Sequence, residues 1–114
     1  MVDLPVVAAI RRYLVVLNEE GIHASKAVLF GSFARDTASE WSDIDLIVIA
    51  PEFDGAKDRR LIRRLWILRA RADVRIEPIP CGEREWETEE GRPVLDIARR
   101  EGVKIDAAQP MPSE

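Results

Sequence analysis

Apolar residues recur along the chain at helical spacing in three segments. From Pro5 to about Glu20 they lie three or four residues apart, which predicts a helix that ends just before Gly21. The same spacing continues from Ala56 to Ala72, and a shorter stretch covers Pro93–Arg100 before Gly102. The pattern therefore predicts three helices, and the segments between them lack this helical spacing.

Three short segments have the composition of β-strands instead. Lys26–Phe30 is a short, nearly continuous apolar run, and Ile44–Ala50 is a longer one rich in β-branched residues. Polar and apolar residues alternate in Asp73–Ile79, which predicts a half-buried strand that Pro78 and Pro80 terminate. The order α-β-turn-β-α-β-α predicts an α/β or α+β fold, with a short mixed sheet flanked by helices.

Length and composition narrow the class of protein. The 114 residues suit one domain, which we assign to residues 1–106, with 107–114 as a flexible proline-containing tail. The net charge of −4 argues against a general nucleic-acid binder. One cysteine excludes an internal disulfide, and no run approaches the ~20 apolar residues of a membrane span. We therefore expect a cytoplasmic protein without a membrane partner.

Positive charge is concentrated in the second predicted helix, residues 56–72. Seven basic residues and a single acid, Asp58, fall between Lys57 and Arg71. Two interpretations stay open: a solvated helix face, or a docking surface for an acidic protein or RNA. The one aromatic residue of this helix, Trp66, gives little support for base stacking.

The residues best suited to chemistry precede and begin the second strand. Asp43 and Asp45 are two positions apart on a predicted strand, so their carboxylates lie on one face and repel each other. A divalent cation relieves that repulsion, and Mg²⁺ prefers carboxylate, phosphate and water oxygens. Upstream, Gly31 and Ser32 form a turn that suits phosphate groups, and Arg35 offers a charged fork to them.

A third acid would complete a two-metal site. Asp73, on the next strand, is our first candidate, and Glu77, four residues later on the same face, is the alternative. Trp41 lies in the loop before the acids, where stacking on a base and anchoring of the loop are both open.

The motif Gly31-Ser32, ten residues, Asp43-Ile44-Asp45 resembles the signature of minimal nucleotidyltransferases of the DNA polymerase beta superfamily. The segment Arg71–Ile76 is similar to the superfamily strand that carries the third metal-binding aspartate. One departure is visible, because Asp36 stands where the family often has glycine. The resemblance implies that the triphosphate contacts Gly31, Ser32 and Arg35, and that the catalytic, metal-binding acids are Asp43, Asp45 and Asp73.

The resemblance also implies an activity and its partners. It suggests an Mg²⁺- or Mn²⁺-dependent enzyme that transfers a nucleoside monophosphate, AMP from ATP, to a hydroxyl. The expected setting is a toxin–antitoxin pair with a helical HEPN-type partner protein, and a homodimer is open. Two alternatives remain: a non-catalytic module that neutralises such a partner by contact, and a small-molecule adenylyltransferase of the antibiotic-modifying type. Acceptor and base preference are not legible in the sequence.

Overall fold

The computed structural model describes residues 3–39, 41–55, 57–88 and 92–107. Within them lie four α-helices and four β-strands in the order α1-β1-β2-α2-β3-α3-α4-β4. Their bounds are α1 Leu4–Glu19, β1 Lys26–Phe30, β2 Ile44–Ile49, α2 Arg59–Leu68, β3 Ile76–Cys81, α3 Glu83–Glu87, α4 Pro93–Glu101 and β4 Val103–Asp106. Of these helices, none combines the length and apolar character needed to cross a bilayer.

The four strands form one mixed sheet in the order β3-β2-β1-β4. β1 pairs antiparallel with β2 and β4, whereas β2 and β3 are parallel and are joined through α2. The predicted α+β architecture with a short mixed sheet is thus confirmed. Residues 108–114, most of the predicted tail, lie outside the described residues.

Each face of the sheet packs against helices, and this decides which side chains share the site. Leu46 and Val48 of β2 lie in the larger core, with buried residues of α1 and α2. The alternate residues Ile47 and Ile49 face the other way and pack with Leu95 of α4. Asp45 shares the parity of Ile47 and Ile49, so it lies on the α4 face of the sheet.

The predicted first helix and first two strands agree with the structure within one residue at each end. The basic helix α2 is shorter than the predicted Ala56–Ala72: it begins at Arg59 and gives way to a 3₁₀ turn, Arg69–Arg71. Ala56 is outside the described residues. Asp58 explains the start, since its carboxylate accepts a hydrogen bond from the Arg60 backbone N–H at 2.8 Å.

The prediction that Pro78 and Pro80 end the third strand is wrong, because β3 runs through both to Cys81. The carbonyls of Arg75 and Cys81 accept hydrogen bonds from the N–H groups of Ile44 and Ala50, at the two ends of β2. Backbone polar groups of successive strand residues point to opposite edges, so the odd-numbered residues of β3 face β2. The nitrogens of Pro78 and Pro80 therefore face the open edge, where no N–H is needed. Arg69 donates to the Ile76 carbonyl on that edge at 2.9 Å. An edge strand tolerates proline in this orientation, and it begins three residues later than predicted.

Candidate active site

Gly31 begins a tight 3₁₀ turn directly after β1 and is required there for two reasons. Its φ is +75°, in the left-handed region that favours glycine. A Cβ at this position would also overlap the Asp45 carboxylate, lying 3.2 Å from its Cγ. The turn is closed by backbone N–H groups of Ala34 and Arg35, which donate to the Gly31 carbonyl at 3.1 and 3.0 Å. The absence of a side chain at Gly31 therefore lets the turn approach Asp45 of β2 closely.

Three carboxylates lie on the same face of the sheet beside this turn. Asp43 immediately precedes β2 and Asp45 lies within it, two residues on, so the predicted shared face is present. The parallel register of β2 and β3 sets Glu77 directly opposite Asp45. Since paired residues in register point to the same side of a sheet, Glu77 joins the aspartate pair on the α4 face.

The electrostatics of the three acids reflect their proximity. Partial burial, and then the neighbouring Asp43 carboxylate, raises the pKa of Asp45, while Arg35 opposes the rise. Burial also raises the pKa of Glu77, with further contributions from Asp43, Asp45 and a hydrogen bond to Asp43. Burial and the neighbouring carboxylates therefore disfavour the ionised forms of Asp45 and Glu77 within this group of acids (the carboxylate trio, Asp43, Asp45 and Glu77).

Asp73 occupies different surroundings. It lies three residues before β3 and forms a two-pronged ion pair with Arg75, at 2.8 Å from Oδ2 to Nη2 and 3.1 Å from Oδ1 to Nε. Hydrogen bonding from Arg75 lowers the pKa of Asp73. The structure thus places Glu77, the alternative candidate, opposite Asp45 and leaves Asp73 paired with Arg75.

The two predicted phosphate ligands lie on the turn and just after it. Ser32 is half-buried, and its carbonyl accepts a bond from the Thr37 N–H at 2.9 Å. The Arg35 side chain is 53% exposed, and its Nη1 lies 3.3 Å from Oε1 of Glu101 on α4. The positive charge of Arg35 opposes the rise in the pKa of Asp45.

The residue after Arg35 explains the departure from the family motif. Asp36 adopts φ +63°, a conformation in which glycine is at ease and which aspartate tolerates better than most residues. The position that the family often gives to glycine is therefore a left-handed turn residue in this chain as well.

A known protein family matches most of the chain, including the candidate site. The nucleotidyltransferase domain family matches residues 10–98, a span that includes the Gly31 turn and the carboxylate trio. The chain belongs to the nucleotidyltransferase domain family. No curated protein sequence matches it.

A solved structure agrees with this nucleotidyltransferase domain in fold. A chain from a crystal structure of a toxin–antitoxin with AMP-PNP superposes with a TM-score of 0.59. The match covers 87% of this chain and 74% of that one, at 18% sequence identity. At that identity the likeness describes the arrangement of helices and strands.

The nucleotidyltransferase domain offers donor atoms suited to a hard cation. All members of the carboxylate trio supply oxygen, the ligand type that Mg²⁺ prefers, and burial, followed by the neighbouring carboxylates, raises the pKa of Asp45 and of Glu77. Within the described residues, no three acidic, histidine or cysteine side chains already stand close enough to enclose a metal ion.

Trp41 lies in the loop that precedes the acidic strand β2. It lies two residues before Asp43 and its side chain is 85% exposed, so packing against the core does not anchor the loop through it. Its backbone N–H donates to the Ser39 hydroxyl at 3.3 Å. The exposed indole is therefore free of the core and available for stacking.

Proposed function

We propose that this nucleotidyltransferase domain transfers AMP from ATP to a hydroxyl group and releases pyrophosphate. The observation that carries the proposal is the contact between the Gly31 turn and Asp45, with Asp43 and Glu77 alongside. A turn suited to phosphates and a cluster of acids suited to cations then lie edge to edge. A cation–triphosphate complex is the ligand that matches both.

Each part of that ligand has residues of matching chemistry. The backbone N–H groups of the turn, the Ser32 hydroxyl and the Arg35 guanidinium suit the triphosphate. Asp43, Asp45 and Glu77 suit Mg²⁺, or Mn²⁺, with Asp73 as the alternative third acid that the family resemblance favours. When bound, divalent cations supply charge stabilisation at the transferring phosphoryl group and its leaving oxygens. Trp41 is suited to stack on the adenine.

The reaction follows from this placement. The acceptor oxygen forms a bond to the α-phosphorus, and the bond from that phosphorus to the oxygen bridging to the β-phosphate breaks. Pyrophosphate leaves with the electron pair, and the hydroxyl proton passes to a carboxylate of the site or to water. Arg35 stabilises charge on the departing phosphates, which requires it to leave Glu101 for the triphosphate.

A partner protein is the acceptor that we favour. The structural neighbour is described as a toxin–antitoxin with AMP-PNP, which supports a setting with a partner protein and a nucleotide. The family resemblance suggests a helical HEPN-type toxin, and the hydroxyl would then belong to a side chain of that toxin. The product of the adjacent reading frame is the protein on which to test this.

A label-transfer assay tests the proposal. ATP labelled at the α-phosphate, Mg²⁺ and the purified neighbouring protein should yield a labelled partner. Asp43→Ala should reduce transfer about a hundredfold or more, since metal stabilisation of the transition state amounts to several kcal/mol. Glu77→Gln should reduce it similarly and Asp73→Asn far less, with Asp106→Asn on β4 as a control. Transfer that persists in Asp43→Ala would contradict the proposal.

A second candidate function is neutralisation of the partner by contact alone. The exposed arginines of α2, which lie on the other side of the sheet from the carboxylates, favour it. Under this alternative the Asp43→Ala variant protects cells from the partner as well as the wild type does. Under our proposal protection is lost together with transfer.

A further inference from the structure

One exposed stripe of α2 combines positive charge with apolar side chains. Arg59, Arg60, Arg63, Trp66 and Ile67 (the arginine–tryptophan face) are all exposed, with Trp66 at 40% and Ile67 at 62%. Their spacing of three, four, seven and eight residues puts them on one side of the helix. The opposite side buries Leu65 and Leu68 in the larger core.

The arginines of α2 and its following turn divide into two groups. Arg64 and Arg71 form ion pairs with Glu20 at the end of α1, at 2.7 and 3.2 Å, and thereby fasten the two helices together. Within the described part of the chain, no carboxylate forms an ion pair with Arg59, Arg60 or Arg63. The nearest acid in sequence, Asp58, is engaged as the helix N-cap. The charge of the arginine–tryptophan face is therefore uncompensated within the described chain.

The apolar part of this face is held ready for contact. The Arg69 guanidinium lies over the Trp66 ring at 4.7 Å, and Arg69 is itself fixed by the carbonyls of Val74 and Ile76 at 2.8 and 2.9 Å. Tryptophan and arginine are the residue types most enriched at the energetic centres of protein interfaces. Ordering of the indole before binding lowers the entropic cost of using it.

We infer that the arginine–tryptophan face docks an acidic protein surface, one with carboxylates around an apolar centre. Charge complementarity favours an acidic partner, because carboxylates opposite Arg59, Arg60 and Arg63 would steer association and balance charge that no described carboxylate pairs with. Trp66 and Ile67 specify an apolar centre, which a protein offers and a phosphate backbone does not. RNA fits less well, since one ring face of Trp66 is covered by Arg69 and the chain carries a net charge of −4.

The position of the face separates docking from chemistry. α2 covers the side of the sheet opposite to Asp45, so a partner bound there leaves the Gly31 turn open to a triphosphate. The inference rests on the proposed function for its partner, the product of the adjacent reading frame, and that partner must extend past the edge of the sheet for its acceptor hydroxyl to reach the Gly31 turn. Docking itself does not depend on nucleotide transfer.

Binding of that purified protein, measured by calorimetry without nucleotide in the Asp43→Ala background, tests the inference. Arg59→Glu/Arg63→Glu should weaken the Kd about a hundredfold and Ile67→Glu about tenfold, as at interface hot spots. Thermal melting verifies that each variant is folded. The matched control, Arg11→Glu/Arg84→Glu, reverses two exposed arginines elsewhere and should change the Kd by less than about twofold.

Three results would overturn the inference. The first is a double variant of the face that binds like the wild type, and the second is a wild type that does not bind the neighbouring protein. The third is a hairpin RNA that binds this chain more tightly than the neighbouring protein does, with the RNA binding lost in Arg59→Glu/Arg63→Glu. Binding of Mg²⁺ and ATP to the chain alone is measured separately, so failure of docking leaves the catalytic proposal standing or falling by itself.

Discussion

Replacement of Gly31 by alanine perturbs the candidate active site at its narrowest point. Alanine at φ +75° costs about 1–2 kcal/mol, the penalty of left-handed backbone for a residue with a Cβ. At about 4 °C per kcal/mol, the melting temperature should fall by roughly 4–8 °C. The added Cβ also overlaps the Asp45 carboxylate, which has to rotate away from the turn.

Gly55 provides a matched control for this substitution. Its φ is +74°, but a Cβ there meets no atom within 4 Å among those described. Gly55→Ala should therefore lose the same stability and keep its function, whereas Gly31→Ala should also lose about a hundredfold in nucleotidyl transfer, the typical effect of a 1 Å misplacement. Melting and label transfer are measured side by side. Equal activity in the two variants would refute the requirement for close approach between Gly31 and Asp45.

Four further predictions concern stability. Because folding raises the pKa of Asp45, stability falls as pH rises from its unfolded-state pKa through the folded one; Asp45→Asn should therefore melt higher than the wild type near pH 7 without metal, with the advantage vanishing at about pH 4. Mg²⁺ should raise the melting temperature of the wild type and not of Asp45→Asn; the opposite order would contradict the repulsion described for the trio. Asp36→Gly should stabilise the fold by up to about 1 kcal/mol in urea unfolding, since φ +63° suits glycine; a loss would mean that its side chain contributes more than the backbone costs. Tyr13→Phe should destabilise by about 1–2 kcal/mol, because the buried hydroxyl donates to the Leu65 carbonyl at 2.7 Å; an unchanged free energy of unfolding would count against that bond.

Long periodic elements and the aspartate pair were predictable from the sequence. The apolar spacing of α1 and the continuous apolar runs of β1 and β2 depend on burial within each segment, so they are visible locally. The shared face of Asp43 and Asp45 follows from the two-residue period of a strand. Gly31 is likewise marked by the turn that must follow β1.

The sequence made Asp73 the first candidate for the third acid and Glu77 the alternative, since both fit the same alternation. Parallel pairing of β3 with β2 brings Glu77 opposite Asp45, and that register depends on contacts between distant segments. The partner of Asp73 was likewise open in the sequence, because Arg71 and Arg75 both neighbour it. In the structure Arg75 forms the ion pair.

Short elements were also missed. α3 has five residues and lies in an acidic segment without helical apolar spacing, and it is started by a capping interaction in which Asp54 accepts from the Arg84 N–H at 3.0 Å. β4 has four residues, and its pairing with β1 gives it the strand conformation. The Asp54 cap of α3 and the β1 partner of β4 both lie outside the segment that they stabilise, so neither element could be predicted from its own residues.

Calorimetric titration of the chain with ATP, in the presence and absence of Mg²⁺, tests the central claim most directly. The carboxylate trio and the Gly31 turn predict binding that requires Mg²⁺, is lost in Asp45→Asn and Glu77→Gln, and persists in Asp73→Asn. Binding of equal strength without Mg²⁺, or binding that Asp45→Asn leaves unchanged, would contradict the claim that these carboxylates hold a cation–triphosphate complex.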